Sequence, residues 1–276
     1  MSYKNFVPRV WAKAIQHELE KAFVFVEDCN KEYEGTVSNL GDTVKILGVG
    51  KPTIRTQTGG EIALTGAEKV ESTSVSMPIE HVAYFNYKVG DIDKAQAENG
   101  VMEALNKESS IGLADEMDKL VAAMAKDKLA VKHTATATQI TKANILETID
   151  AVLAKLYGNN VKPNDFISMT VPPWFYMLLK QAYTALDTDN SKMLENGKVG
   201  RYGNVVVRMS NNVAKDTNNN DLIMIRTNKA VAFANPKVHT EPYRPENGFA
   251  DAVKGFALFD TKIVRPKEMF VLNCRQ

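Results

Sequence analysis

The stretch Asp93–Asp127, DKAQAENGVMEALNKESSIGLADEMDKLVAAMAKD, contains no proline. Val101, Leu105, Leu113, Met117, Leu120, Val121 and Met124 recur in it at spacings of three and four, with Ser109 filling one register. Asp91 or Asp93 suits the start as a cap, and Lys126 and Lys128 suit the negative end of the dipole. The spacing predicts one helix of roughly 50 Å, at about 1.5 Å per residue. A compact chain of this size is itself only about 50 Å across. Such a helix is a spine on which other parts hang. A long core helix or half of a coiled coil is the plainer alternative, and Gly100, Gly112 and Ser109–Ser110 interrupt a coiled-coil seam and allow a bend. Asp115, Glu116 and Asp118 are expected on a solvated face, paired with nearby lysines.

The chain has 276 residues, enough for one large or two modest domains. With 44% hydrophobic and 24% charged residues it has the composition of a folded chain. Its net charge of +1, from 34 basic and 33 acidic side chains, lacks the basic surplus of a protein that grips nucleic acid. Strong direct DNA binding is therefore not expected. Cys29 and Cys274 show no metal-type spacing and are expected as free thiols, a disulfide being the lesser alternative. The first apolar run, Ala22–Val26, is too short and too far in for a signal peptide, and nothing approaches a membrane span. The chain is expected to fold first in a cytoplasm.

Around this spine the character of the chain changes repeatedly. Pro8 stands at a first helical position, and Trp11, Ile15 and Leu19 follow at spacing four, predicting a short helix ending near Ala22. That helix is either core or an arm lying on a neighbour. Val44 and Ile46, then Val75, Met77 and Ile79, then Phe85, Tyr87 and Val89, alternate on either side of a polar Gly- and Thr-rich middle. This predicts a long hairpin with its turn at Gly59–Gly60. A hairpin whose tip, around 50–70, has so little to fill a core must lie against something outside itself, unless it is a pair of ordinary strands with a loose loop. KHTATATQ (132–139) reads as a linker. Thr141 is expected to cap a helix with Ile145, Ile149, Val152, Leu153 and Leu156 buried and Gly158 as its stop. DFISMTV reads as a buried strand, and Pro172–Pro173 open a helix over WFYMLLKQAY. NVVVRMS, LIMIRT, AVAFAN, FADAVKGFALFDTKIV and EMFVLNC read as strands, and VHTEPYRP as extended. Helix–strand–helix followed by strands argues for an α/β or α+β domain from about 140 to 235.

Catalytic signatures do not emerge. His17, His81, His133 and His239 stand apart from other metal-type ligands and are expected to be solvated or satisfied. The spaced glycines of GKVGRYG (197–203) precede a strand, whereas a dinucleotide motif follows one. No nucleophile elbow, P-loop or zinc-protease helix motif is present. The reading is of a non-enzyme with no cofactor and no metal.

The collinear order of parts carries a resemblance across essentially the whole chain. FVPRVWAKAI followed by YEGTVSNLGDTVKI, then YFNYKVGDIDKAQA leading into the spine, VPPWFYMLLKQA, GKVGRYGNVVVRMSNNV, and AFANPKVHTEPYRPENGFADAVKGFALFDTKIVRP resemble the text of phage coat subunits. The chain resembles the major capsid proteins of tailed bacteriophages with the Hong Kong 97 fold.

The resemblance implies an N-terminal arm (1–35), an extended loop reaching over a neighbour (36–90), a peripheral domain holding the spine (91–139 and 236–276) and an α/β axial domain (140–235). The polar loop 187–203 would belong to the axial tip. It implies self-assembly into pentamers and hexamers of an icosahedral shell enclosing double-stranded DNA, contacted weakly and without sequence specificity. It implies scaffolding, portal and decoration proteins as partners, no membrane, and assembly in a host bacterial cytoplasm before the chain resides in the virion. Some relatives carry a scaffolding segment before the arm. Met1 stands almost at the arm here, which suits either a separate scaffold or a processed form. Candidate subunit-interface residues are Trp11, Ile15, Lys51, Ile54, Arg55, Ile62, Leu64, Lys69, Lys198, Arg201 and Tyr202. Lys51 and Lys69 lie where some relatives crosslink, but no motif selects them. An encapsulin-like nanocompartment shell, which uses the same fold, is the alternative reading.

Overall fold

The computed structural model describes residues 23–32, 43–49, 53–54, 56, 58–59, 72–90, 101–134, 136–184, 200–246 and 250–276. The predicted spine is present as α1, Val101–Ala123. Its 23 residues span about 34 Å. It ends earlier than the apolar pattern does, tightening into a 3-10 turn at Met124–Lys126 before Asp127 turns extended with ψ 148°. Leu113, Met117 and Val121 are buried on one stripe, as the spacing predicts, while Leu105, Leu120 and Met124 are half-buried. Ser110 is buried beside them. Its hydroxyl, like that of Ser109, donates 2.8 Å to a carbonyl one turn back, so the serines fit inside the helix with their polarity satisfied.

α1 lies against a three-stranded antiparallel sheet in the order β10 (Val231–Tyr243), β11 (Ala250–Ile263), β3 (His81–Gly90). The inner face supplies Phe233, Ala257, Phe259 and Ile263, with Phe85 at its margin. The opposite face supplies Ala232, Ala234, Leu258 and Phe256 to a second packing. Onto that face folds the base of a hairpin, β1 (Thr43–Val49) and β2 (Ser72–Pro78), which pair in register from Thr43↔Pro78 to Val49↔Ser72. Val44, Ile46, Met77 and Ile79 are buried there. The alternation therefore ran through two structures. β1 and β2 form the predicted hairpin, but the chain bends at Ile79–Glu80 and β3 pairs with β11 instead.

The other half is one mixed sheet of seven strands among the described residues, in the order β4 (Val131–Lys132), β12 (Met269–Arg275), β9 (Asp221–Thr227), β6 (Ile167–Val171), β8 (Val205–Met209), β7 (Arg201–Tyr202), with β5 (Thr138–Gln139) also on β12. The predicted linker 132–139 thus holds two short strands, because the backbone edge of β12 accepts parallel partners whatever their side chains. β9 and β12 are apolar on successive residues because both faces are covered. Leu222, Met224, Met269 and Val271 face α1, while Ile223, Ile225, Phe270 and Leu272 face α2 (Ile145–Gly158) and α3 (Pro173–Thr184). α2 buries the five residues predicted for it. Its start differs. Asn144 holds the cap position, and Thr141 opens the preceding turn, its N–H donating 2.8 Å to Asn144 Oδ1.

Candidate assembly surfaces

The hairpin is rooted by one carboxylate. Asp260 Oδ2 on β11 accepts the backbone N–H of Glu80 at 3.1 Å and lies 2.9 Å from His81 Nδ1. Its other oxygen takes the N–H of Thr261. The junction between β2 and β3 is thereby pinned at the foot of a ladder of seven register pairs. Beyond that ladder, Ile54 is 86% exposed. Gly59, expected at the turn, has φ +75°, a conformation that favours glycine.

A second construction holds the root of the N-terminal segment. The apolar run after Ala22 is buried: Phe23, Phe25 and Val26 enter the main core. Their backbone needs partners there, and Asp118 of α1 supplies them. Asp118 Oδ1 accepts the N–H groups of Phe25 and Val26 at 3.0 Å, and Oδ2 that of Val24 at 2.8 Å. Asp118 is 2% exposed, so it departs from the solvated face on which the helix pattern placed it. Asp115 and Glu116 do lie beside Lys119, at 2.7 and 2.8 Å. Burial pushes the Asp118 carboxyl above the usual carboxylate range, and the three N–H donors pull against that shift.

The carbonyl side of the same segment is met by a cation. Arg226 on β9 is the largest fully buried side chain among the described residues and donates 2.7 Å to both Phe25 O and Asp28 O. Arg208 on β8 completes the clasp, its Nε and Nη2 donating to the two Asp28 oxygens at 2.8 and 3.0 Å and Nη1 lying 2.7 Å from Glu27. Asn30 then bridges to β10, donating to Val231 O and accepting from the N–H of Phe233. Spacing gave no hint of these residues. Only Arg226, a charge inside the apolar run LIMIRT, stood out locally.

Of the predicted interface residues, the structure describes Ile54, Arg201 and Tyr202. Arg201 is exposed on β7. Tyr202 packs against the helix-side core and donates 2.8 Å to Asp150 Oδ1 of its own chain. Trp11, Ile15, Lys51, Arg55, Ile62, Leu64, Lys69 and Lys198 lie outside the described residues. Two exposed residues were missed by sequence reasoning, Val82 (42%) and Tyr84 (81%), on the face of β3 away from Phe85 and Tyr87. Their signal was the apolar residues on both registers of HVAYFNYKVG. They line a groove of about 490 Å³ between β3 and α1, with Leu120, Ala123 and Phe259.

The described residues contain no group of three or more His, Cys, Asp or Glu placed to hold a metal. Cys29 and Cys274 are buried free thiols, and burial pushes both upward, away from thiolate character. No helix among the described residues is long and apolar enough to cross a membrane.

No protein-family model matches the sequence, and no curated protein matches it. Solved structures do. One from Mycobacterium phage Che8 is 25% identical, with 90% of each chain covered and a TM-score of 0.74. The capsid of cyanophage P-SCSP1u is 16% identical over 92% of this chain and 88% of its own, at 0.72. The chain has the fold of the tailed-phage capsid proteins. A virus-like particle from Pyrococcus furiosus shares that capsid fold more distantly, at 12% identity, a TM-score of 0.58 and coverage of 96% and 98%. The likeness to the Che8 structure extends over 90% of this chain.

Proposed function

We propose that this chain is the major capsid protein of a tailed bacteriophage, assembling into the icosahedral head shell around double-stranded DNA. The single observation that carries this is the likeness to the phage Che8 structure over 90% of both chains. The structural neighbours are shell components rather than enzymes, and the chain's role is structural on this reading. Residues 1–35 act as the arm and 36–90 as the extended loop over a neighbour. The 91–139 and 236–276 segments make the peripheral domain, and 140–235 the axial domain around the five- and sixfold positions. β12 pairs with β9 and so ties the last segment to the axial sheet.

The physics supports that use. A hairpin whose tip has few apolar residues gains burial from the next subunit, a heterologous contact that closes into rings. Trp11, Ile15, Lys51, Ile54, Arg55, Ile62, Leu64, Lys69, Lys198, Arg201 and Tyr202 are the proposed contact positions. A net charge of +1 limits repulsion among many copies and suits a wall that contains DNA without gripping it. Scaffolding, portal and decoration proteins are the proposed partners, and the virion the final location.

Electron microscopy and sedimentation of the purified chain, with and without a co-expressed scaffold, test the reading. Closed shells, or rings of five or six, are expected. A monomer under every condition refutes it. The virus-like particle likeness favours a second reading, a nanocompartment shell, and cargo separates the two. Nuclease-protected DNA inside particles supports the phage shell, and enclosed protein without DNA supports the compartment.

A further inference from the structure

A cleft of about 270 Å³ opens between the middle of α1 at Ile111, Asp115 and Asp118, the turn after β8 at Ser210–Asn212, and Val24. Ile111 of α1 and Met209 at the end of β8 face it, 42% and 49% exposed. Both stand on held backbone. Ile111 is inside the helix, and the N–H of Ser210, next to Met209, donates 3.0 Å to Val171 O. Asp115 at the rim is held by Lys119 and by Asn212 Nδ2 at 2.6 Å, so its charge is already matched. Val24 forms the remaining wall. The apolar part of the cleft thus lies beside Val24, one residue after Phe23, where the described residues begin.

That preceding segment carries the stripe Trp11, Ile15 and Leu19. Leu19 is five positions before Val24, at most about 17 Å away if extended and about 8 Å if helical. A group tethered so closely competes at an effective concentration on the order of millimolar, ahead of any copy in dilute solution. We propose that the cleft seats this chain's own N-terminal segment, taking Leu19 between Ile111 and Met209 and leaving Trp11 and Ile15 to a neighbour. The clasp at Asp118, Arg226 and Arg208 then does more than close the core. It fixes the chain at Val24 so that Leu19 reaches its own subunit first. The inference concerns one chain with itself and does not rest on the shell reading.

The test is a double substitution, Leu19→Cys with Ile111→Cys, in the full chain as dilute dissociated subunits under mild oxidation. The native thiols are both buried. Peptide mapping is expected to show a disulfide joining positions 19 and 111 within monomers, at least tenfold above the control Glu18→Cys with Ile111→Cys. Interchain dimers through the same pair would overturn the proposal in favour of a neighbour's arm, and a yield equal to the control would overturn it outright. Met209→Glu is the second arm, with hydrogen exchange of residues 11–22 expected to speed about tenfold. Unchanged exchange there, with the amides of β6 still protected, also refutes the seat.

Discussion

Replacing Asp118 removes the acceptor for three consecutive backbone N–H groups, two of them in buried bonds to Oδ1. In Asp118→Ala the N–H groups of Phe25 and Val26 lose their partner inside the core, at about 1–3 kcal/mol for each unsatisfied buried donor. The N–H of Val24, only part-buried, regains water. Against this stands relief of the carboxylate's own burial, which already pushes its titration upward. The net expected loss is about 3 kcal/mol. Asp118→Asn keeps one oxygen for Phe25 and Val26 but turns an amide donor toward Val24, for a loss of about 2 kcal/mol. The assay is denaturant unfolding of the dissociated subunit combined with hydrogen exchange at residues 24–26. A loss of about 3 kcal/mol corresponds to roughly a hundredfold faster exchange if the root opens locally. An Asp118→Ala subunit within about 0.5 kcal/mol of the parent, with amides 24–26 equally protected, would refute the clasp as the anchor of the Phe23–Asp28 segment.

Arg226→Met should cost about 3 kcal/mol or more in the same unfolding assay, since Phe25 O and Asp28 O are left facing a thioether, and a neutral result would show water can replace the guanidinium. Gly255→Ala should destabilise by about 2 kcal/mol, because its Cβ would sit 2.5 Å from Phe85 Cζ and 2.8 Å from the His239 carbonyl. Unchanged thermal unfolding would mean β3 and β10 yield more than packed strands do. Burial, with Lys155 nearby, holds His133 below its ordinary 6.5. The unfolded chain therefore takes up that proton first, and stability is full above about pH 7 and falls as pH drops below 6.5. His133→Gln should flatten that part of the pH profile, and an unchanged slope would assign it elsewhere. The side-chain amide of Asn220 is the main cause holding Asp216 at about 2, so its contribution is present above the ordinary 3.8 and disappears as pH falls toward 2. Asp216→Asn should remove that acid step in unfolding monitored by fluorescence.

The pairing of β1 with β2 was legible in the alternation of Val44 and Ile46 with Val75 and Met77, and of the contact positions read from the sequence the structure describes Ile54, Arg201 and Tyr202. The clasp was invisible by comparison. Asp118 sits 92 to 94 positions from the amides it holds, and Arg226 is about two hundred from Phe25. Nothing in the local text of ADEMDKL separates Asp118, which is buried, from Glu116, which is paired on the surface with Lys119.

Local periodicity by itself determined α1, the buried face of α2, the proline-opened α3 and the two-sided apolar runs of β6, β9 and β12. Each of these patterns repeats within a few residues, and water acts on them before any distant partner is met. Tertiary structure alone decided that β3 leaves the hairpin for β11, that β12 lies between β4 and β9, and that a polar linker becomes two edge strands. Strand pairing joins backbone to backbone, so it is chosen by which edge is free and which face needs cover. Those are properties of the folded body and not of the strand's own residues.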